Sequence, residues 1–352
     1  MHDFVLQMRM PRVVFGAGSL KQVRHEVELI GAERALVLST PGQKALAERV
    51  VALLGPHAAG VFSEATMHVP VETVSAAEDV VQLIDANCLV AIGGGSTTGL
   101  AKALALDSGV PVIAIPTTYA GSEMTTMYGL TEGGAKRTGR DAAVLPRSVI
   151  YDPELSLGLP FAVTVVSAIN AIAHAAEGLY APDGNPVIDL FAEEGIRKCA
   201  AALPRLQRDP RDLGARGDAL VGAWMCGTVM GSATVGLHHK LCHTLGGSFG
   251  LPHAELHTVV LPHALAYNAP AVPEAMQKIA AALQASSAPG GVFDLAARHG
   301  AAISLQAIGM PRADLDRAAD LAMQAQYPNP RPLERAPLRE LLQRAWEGIR
   351  PD

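Results

Sequence analysis

Six of the twelve histidines in this 352-residue chain fall within one stretch: His238, His239, His243, His253, His257 and His263. Imidazole exchanges protons near neutral pH and ligates divalent metals, so the concentration points to acid–base chemistry or metal ligation. A polar helix face, or histidines satisfied by backbone carbonyls, would account for any one of them; the cluster as a whole reads as a site. His239 and His243 lie one helical turn apart and share a face. Gly246 and Gly247 beyond them allow a second backbone to approach. Upstream, Asn170 and His174 repeat the one-turn spacing inside the apolar run Ala168–Glu177.

A second constellation suits phosphate. The apolar run Leu89–Ile92 ends in Gly93, Gly94, Gly95 and Ser96, then continues as a helix from Thr97. Three consecutive glycines cost conformational entropy that a simple turn does not require. They let phosphate oxygens reach backbone amides at the positive end of a helix. The next apolar run leads into Thr117, Thr118 and Ser122, hydroxyls suited to ribose or a nicotinamide amide, and equally to capping turns. Gly16-Ala17-Gly18-Ser19 lacks the third glycine of a dinucleotide fingerprint, Lys21 standing in its place, and reads as a turn. Glu132–Arg137 reads as a hairpin turn bearing Lys136 and Arg137, cations available to solvent, to the nucleotide or to an anionic substrate.

The elements that must position these residues change character along the chain. Short apolar runs at Val13–Phe15, Ala35–Ser39, Gly60–Phe62, Cys88–Ile92, Val112–Ile115 and Val149–Tyr151 alternate with helical stretches at Leu20–Ile30, Gln43–Leu54, Val71–Ile84 and Thr98–Ala105. That alternation predicts an α/β domain with a Rossmann-like parallel sheet over residues 1–155. From 156 to 352 the alternation stops, and helical periodicity predicts an all-α domain. Its helices are expected at Val163–Tyr180, Pro186–Leu203, Leu213–Thr234, Glu274–Ala285, Val292–Arg298, Arg312–Ala325 and Leu338–Ile349. Tyr327–Pro332, with three prolines, is expected to be an extended loop.

Taken in order, these motifs resemble the iron-containing alcohol dehydrogenase family, and within it the maleylacetate reductases. The resemblance rests on Gly93–Ser96, Pro116-Thr117-Thr118 with Gly121-Ser122-Glu123, Lys136, Tyr151-Asp152-Pro153, the Asn170/His174 pair, His239/His243/His253 and Tyr327–Pro330. It implies a dehydroquinate synthase-like fold. In the wider family an aspartate and three histidines hold a divalent metal, at positions matching Asn170, His174, His239 and His253; His243 matches a histidine near the nicotinamide that is not a ligand. A family aspartate after the glycine loop is Gly99 here. An amide offers a cation only a neutral carbonyl oxygen, so Asn170 beside three neutral imidazoles leads to the expectation that no metal is bound.

The resemblance further implies NADH- or NADPH-dependent reduction of maleylacetate, and of substituted maleylacetates, to 3-oxoadipate in aromatic-compound degradation. His243 is then the expected acid or electrophile, with His239, His253, His174 and Asn170 as a polar cradle for the enolate. Lys240 and Arg137 are candidates for the substrate carboxylates. The cofactor is expected on Gly93, Gly94, Gly95, Ser96, Thr117, Thr118, Ser122 and Lys136. After the second strand stand Ser39 and Thr40, where NAD-selective relatives carry an acidic residue, so dual cofactor use is expected. Two alternatives stay open: a metal-dependent alcohol or aldehyde oxidoreductase, and a lyase or cyclase of the dehydroquinate synthase type.

Composition narrows the setting. A net charge of −6 gives no basic footprint for nucleic acid. No basic segment followed by an apolar core opens the chain, and no run approaches a membrane span. Cys88, Cys199, Cys226 and Cys242 are widely spaced within mostly apolar segments and are expected to be buried thiols. The expectation is a cytoplasmic homodimer acting on a small dicarboxylate, with neither membrane nor nucleic acid as partner.

Overall fold

The structure is a computed structural model that describes residues 4–133, 135–324 and 327–352, the side chains of residues 135 and 136 excepted. The chain divides into two compact units: Arg9–Leu159, and Pro160–Asp352 together with the N-terminal residues up to Met8.

In the first unit, β1 (Arg12–Phe15), β2 (Ala35–Leu38), β3 (Ala58–Phe62), β4 (Cys88–Gly93), β5 (Val112–Pro116) and β8 (Ser148–Tyr151) form one sheet in the order β1-β8-β5-β4-β2-β3. Every pairing is parallel, with Leu38 opposite Ala91 and Gly93 opposite Pro116. The six strands coincide with the six expected from the apolar runs. α1 (Val23–Leu29), α2 (Lys44–Leu54), α3 (Val71–Leu83) and α4 (Gly95–Ser108) make the connections. Successive side chains of β4 enter opposite cores, Cys88, Val90 and Ile92 on one face and Leu89 and Ala91 on the other. A strand buried on two faces cannot alternate apolar with polar, which is why these runs are continuous. β6 (Met127–Glu132) and β7 (Ala135–Arg140) form the expected hairpin.

The second unit is helical: α5 (Phe161–Gly178), α6 (Pro186–Arg208), α7 (Leu213–Ser232), α8 (Leu237–Phe249), α9 (His253–Asn268), α10 (Pro273–Leu283), α11 (Ala288–Arg298), α12 (Leu315–Gln324) and α13 (Arg335–Glu347). α8 and α9, which carry the histidines, are additional to the helices expected from periodicity. α9 is buried on nearly every side and so lacks the apolar–polar contrast that periodicity detects. α6 runs through Pro204 to Arg208, past the expected end at Leu203. α5 is long and apolar enough to cross a membrane, with a mean hydropathy of 1.3, but 83% of it is buried. It packs against α6, α7 and α9, which identifies it as a core helix.

α4 carries one charge into the first unit's core. Lys102 is 1% exposed, and its Nζ donates to Ser122 O (2.6 Å), Thr125 O (2.7 Å), Thr125 Oγ1 (3.0 Å) and Met127 O (2.8 Å). The loop after β5 is thereby tied to the helix that follows the glycines. Burial pulls the Lys102 amine down to about 7, against the opposing charge of Glu123. Its neighbours are all oxygens that accept, which suits the protonated form. Lys102→Met would leave the Ser122, Thr125 and Met127 carbonyls without this donor. We expect a loss of at least about 3 kcal/mol in the unfolding free energy of this unit, measured by urea denaturation.

Candidate active site

The helical unit gathers the histidines. α5 spaces Asn170, His174 and Glu177 at intervals of four and three, so all three share one buried face. The His174 ring stacks on His239 of α8 at 5.2 Å between centroids. His239 lies 6.5 Å from His243 on its own helix and 5.2 Å from His257 of α9. His257 contacts His253 at 4.4 Å. Of the residues expected in the cradle, His174, His239, His243 and His253 are therefore linked through ring contacts. Asn170, 4% exposed, sits one turn before His174 with Oδ1 buried and without a hydrogen-bond partner among the described residues. His243 is half-buried, and His253 is exposed at the first turn of α9. Lys240 Nζ lies over the Tyr327 ring at 5.9 Å, and Arg137 is exposed on β7.

Glu177 was not among the expected site residues. Its carboxylate is fully buried and accepts from Gly236 N (2.9 Å), His238 N (2.9 Å), His239 N (3.3 Å), His239 Nδ1 (2.6 Å) and Tyr180 OH (3.2 Å). Three of these donors are backbone amides at the start of α8. Burial alone would raise this carboxyl. The hydrogen bond from His239, the charges of His239 and His238 and the Gly236 amide outweigh it and bring the group down to about 2. With Nδ1 donating to Glu177, His239 Nε2 is left buried without a partner among the described residues. The missed signal was spacing: Glu177 is three residues after His174.

His238 and His257 also lie outside the expected set. They share a 2.9 Å hydrogen bond between His238 Nε2 and His257 Nδ1, and Cys242 Sγ is 3.8 Å from His238 Nε2. Burial first, then neighbouring imidazoles, hold His174 and His257 well below the usual histidine range; burial brings His238 to about 3. These three rings are neutral at physiological pH.

The sheet unit holds the candidate nucleotide residues. α4 begins at Gly95, ahead of the expected Thr97, so its first amides belong to the glycine run itself. Gly93 has φ +155°, and a Cβ there would collide with Thr97 Oγ1 and lie 2.7 Å from Gln43 Oε1. The close approach at Gly93 thus requires glycine. A Cβ on Gly94 would meet Thr118 Cγ2 at 3.1 Å, placing Thr118 against the loop, and Thr117 N donates to Gly93 O (2.9 Å). Gly95 is exposed and Ser96 half-buried. The tight loop, the open Gly95 and the first amides of α4 fit a pyrophosphate.

The remaining expected contacts are differently placed. Ser39 is fully buried and donates to Thr40 O (3.1 Å) while pairing with Ser63 Oγ (2.9 Å). Thr40 pairs with Gln43, whose Nε2 donates to Thr117 Oγ1 (2.8 Å), so Gln43 bridges the ends of β2 and β5. Ser122 contributes its carbonyl to Lys102. The side chain of Lys136 lies outside those described. At Gly99 a Cβ would come within 2.8 Å of Val69 Cγ2, so an aspartate there requires Val69 to move. Gly16–Ser19 is the expected turn, and Asp152 takes amides there: Gly18 N and the following Leu20 N donate to its carboxylate, both at 3.0 Å.

Known proteins match the whole chain. Residues 11–153 match the family model described as iron-containing alcohol dehydrogenase, and residues 164–346 match the C-terminal model of the Fe-containing alcohol dehydrogenase family. A maleylacetate reductase of Burkholderia cepacia is 62% identical over 351 residues, covering 100% of each chain. The crystal structure of a maleylacetate reductase from Agrobacterium tumefaciens superposes with a TM-score of 0.96 at 52% identity, over 100% of each chain. That of an iron-containing alcohol dehydrogenase from Corynebacterium glutamicum gives 0.94 at 39%, covering 100% of this chain and 99% of the other.

The expectation that no metal is bound is overturned. The matched family is iron-containing, and His238, Cys242 and His257 bring three ligand atoms within 4.8 Å of one another. Asn170 Oδ1, His239 Nε2 and His257 Nε2 add buried ligand atoms without hydrogen-bond partners among the described residues. Imidazole and thiolate suit iron or zinc. The charge argument failed because it stopped at Asn170: the buried Glu177 carboxylate, bonded to His239, supplies the anion that the amide does not. Family models over both halves and end-to-end relatives lead to one assignment: the chain belongs to the iron-containing alcohol dehydrogenase family.

Proposed function

We propose that this chain reduces maleylacetate to 3-oxoadipate with NADH or NADPH. The observation that carries the reading is the end-to-end 62% identity to a maleylacetate reductase. The neutral buried imidazoles beside the ionised Glu177 give that reaction its polar surroundings. Maleylacetate is a dianionic enone. Hydride adds to the alkene carbon conjugate to the ketone, negative charge develops on the ketone oxygen, and a proton then reaches the carbon next to the ketone.

Bound NADH or NADPH supplies the hydride, and a cation held by His239 Nε2 with Asn170 Oδ1 would supply Lewis acidity at the ketone oxygen. The chain's own residues do the rest. Amides at the start of α4 hold the pyrophosphate, and Thr118 walls the loop. His243, half-buried and one turn beyond His239, delivers the proton. His174, kept neutral by burial, donates a hydrogen bond towards the enolate without fixing a positive charge there. Lys240 offers a cation to a substrate carboxylate. A homodimer in the cytoplasm goes with this reading. Stoichiometric loss of NADH absorbance on adding maleylacetate tests it, and NADH consumption without 3-oxoadipate would refute it.

Ser39 and Thr40 present no carboxylate to a 2′-phosphate. NADH and NADPH should therefore support reduction with kcat/KM values within about two orders of magnitude; steady-state kinetics with each cofactor measures this. His243→Ala should lower kcat by roughly 10²-fold or more while the Kd for NADH, read by fluorescence titration, stays within about twofold. Calorimetric titration of metal-stripped protein with ferrous ion or zinc should show saturable binding, weakened about tenfold or more in His239→Ala. An unchanged isotherm in that variant would place the ion on His238, Cys242 and His257 instead.

A further inference from the structure

The geometry points to Glu177 as a positioning residue that fixes His239 in the Nδ1–H tautomer, so that its Nε2 lone pair is the one offered to the active site. The inference rests on the reductase reading only for its kinetic consequence. Its structural basis is independent of the substrate.

Every neighbour hydrogen-bonded to this carboxylate donates. Oε2 receives Gly236 N, His239 N and His239 Nδ1; Oε1 receives His238 N and Tyr180 OH. Backbone amides cannot reverse their role, so the carboxylate accepts from three fixed donors at the start of α8 and is held in one orientation by them. The third contact on Oε2, the 2.6 Å approach of His239 Nδ1, must then also be N–H to oxygen. A neutral imidazole carries one ring proton; with it on Nδ1, Nε2 is bare. That nitrogen is buried and has no partner among the described residues, which is costly unless the site uses it.

The carboxylate also determines where His239 stands. α8 has no side-chain cap of its own, and its N-cap is Gly236. Glu177 supplies that cap from α5, so the helix bearing His239 and His243 is anchored to the helix bearing Asn170 and His174. Asn329 adds to the same end, its Oδ1 accepting from Leu237 N (3.3 Å) and from Asn268 Nδ2 (3.0 Å). One buried carboxylate thus sets the register between two site-bearing helices and the proton position on the ring between them.

Nitrogen NMR of the histidine-labelled full chain tests this, with the His239 signals assigned by their loss in His239→Ala. Wild type should show His239 protonated at Nδ1 and bare at Nε2. Glu177→Gln keeps the shape but sets an amide N–H against a ring of donors. It should lose the single Nδ1–H signature and about 10²-fold or more in kcat, with KM for NADH within about threefold. Glu177→Asp, which restores the charge, should recover the tautomer and part of kcat. His239 bare at Nδ1 in wild type would overturn the inference, as would a Glu177→Gln protein with unchanged tautomer and kcat. The wild-type spectrum decides the matter even where Glu177→Gln does not fold. It also needs no maleylacetate, so failure of the reductase reading shows separately, as no turnover in wild type with the tautomer intact.

Discussion

A single ionised carboxylate buried among helices is the constraint on which the candidate active site depends. An isolated charge in such a place would cost several kcal/mol. Glu177 escapes that cost because its lone pairs are met by backbone amides, a tyrosine hydroxyl and an imidazole N–H. The compensation is mutual: the first turn of α8 has donors that no residue of that helix satisfies, and the carboxylate answers them. Removing the charge would unsettle both the helix start and the ring. A short polar cap on α8 itself could serve the helix, but it would leave the tautomer of His239 undetermined.

The sheet unit solves an analogous problem with the opposite charge. A loop suited to phosphate keeps its amides open, so it is not braced by side chains pointing inwards. Bracing comes from outside: Lys102 gathers the carbonyls of the loop after β5, and Gln43 links the ends of β2 and β5 through Thr117. Gly18 and Leu20 show the contrast. Their turn also presents amides, but the Asp152 carboxylate takes them, so a glycine turn becomes a structural joint with no anion to bind.

Much of this was legible in the sequence. The six strands were: the four inner ones, buried on two faces, leave uninterrupted apolar runs, and the partly exposed edge strands β1 and β3 keep short apolar runs of their own. The glycine loop and the imidazole cluster were, because their residue types are unusual in concentration. α8 was only in part, through the one-turn spacing of His239 and His243, and α9 was not, since a helix buried on nearly every side has no apolar stripe to betray its period. Glu177 and Lys102 escaped for a related reason: a lone charge in an apolar helix carries little local sign of its partners, which for Glu177, Tyr180 apart, lie 59 to 62 residues away and for Lys102 20 to 25. His238 and His257 were visible as part of the cluster. Only their packing shows that they hydrogen-bond to each other and lie beside Cys242.

The metal expectation shows where residue-by-residue reasoning stops being physical. Counting ligand charges treats a cation as if it felt only the atoms it touches. In a low-dielectric interior, charge acts over several ångströms. A carboxylate hydrogen-bonded to a ligating imidazole also makes that nitrogen a stronger donor. Asn170 in place of aspartate moves the negative charge outward from the contact positions but does not delete it, because Glu177 lies two turns along the same face and stays ionised down to about pH 2. In the proposed reaction a neutral amide at Asn170 would oppose the enolate's developing charge less than a carboxylate. The anion behind His239 meanwhile holds that ring in place through Nδ1.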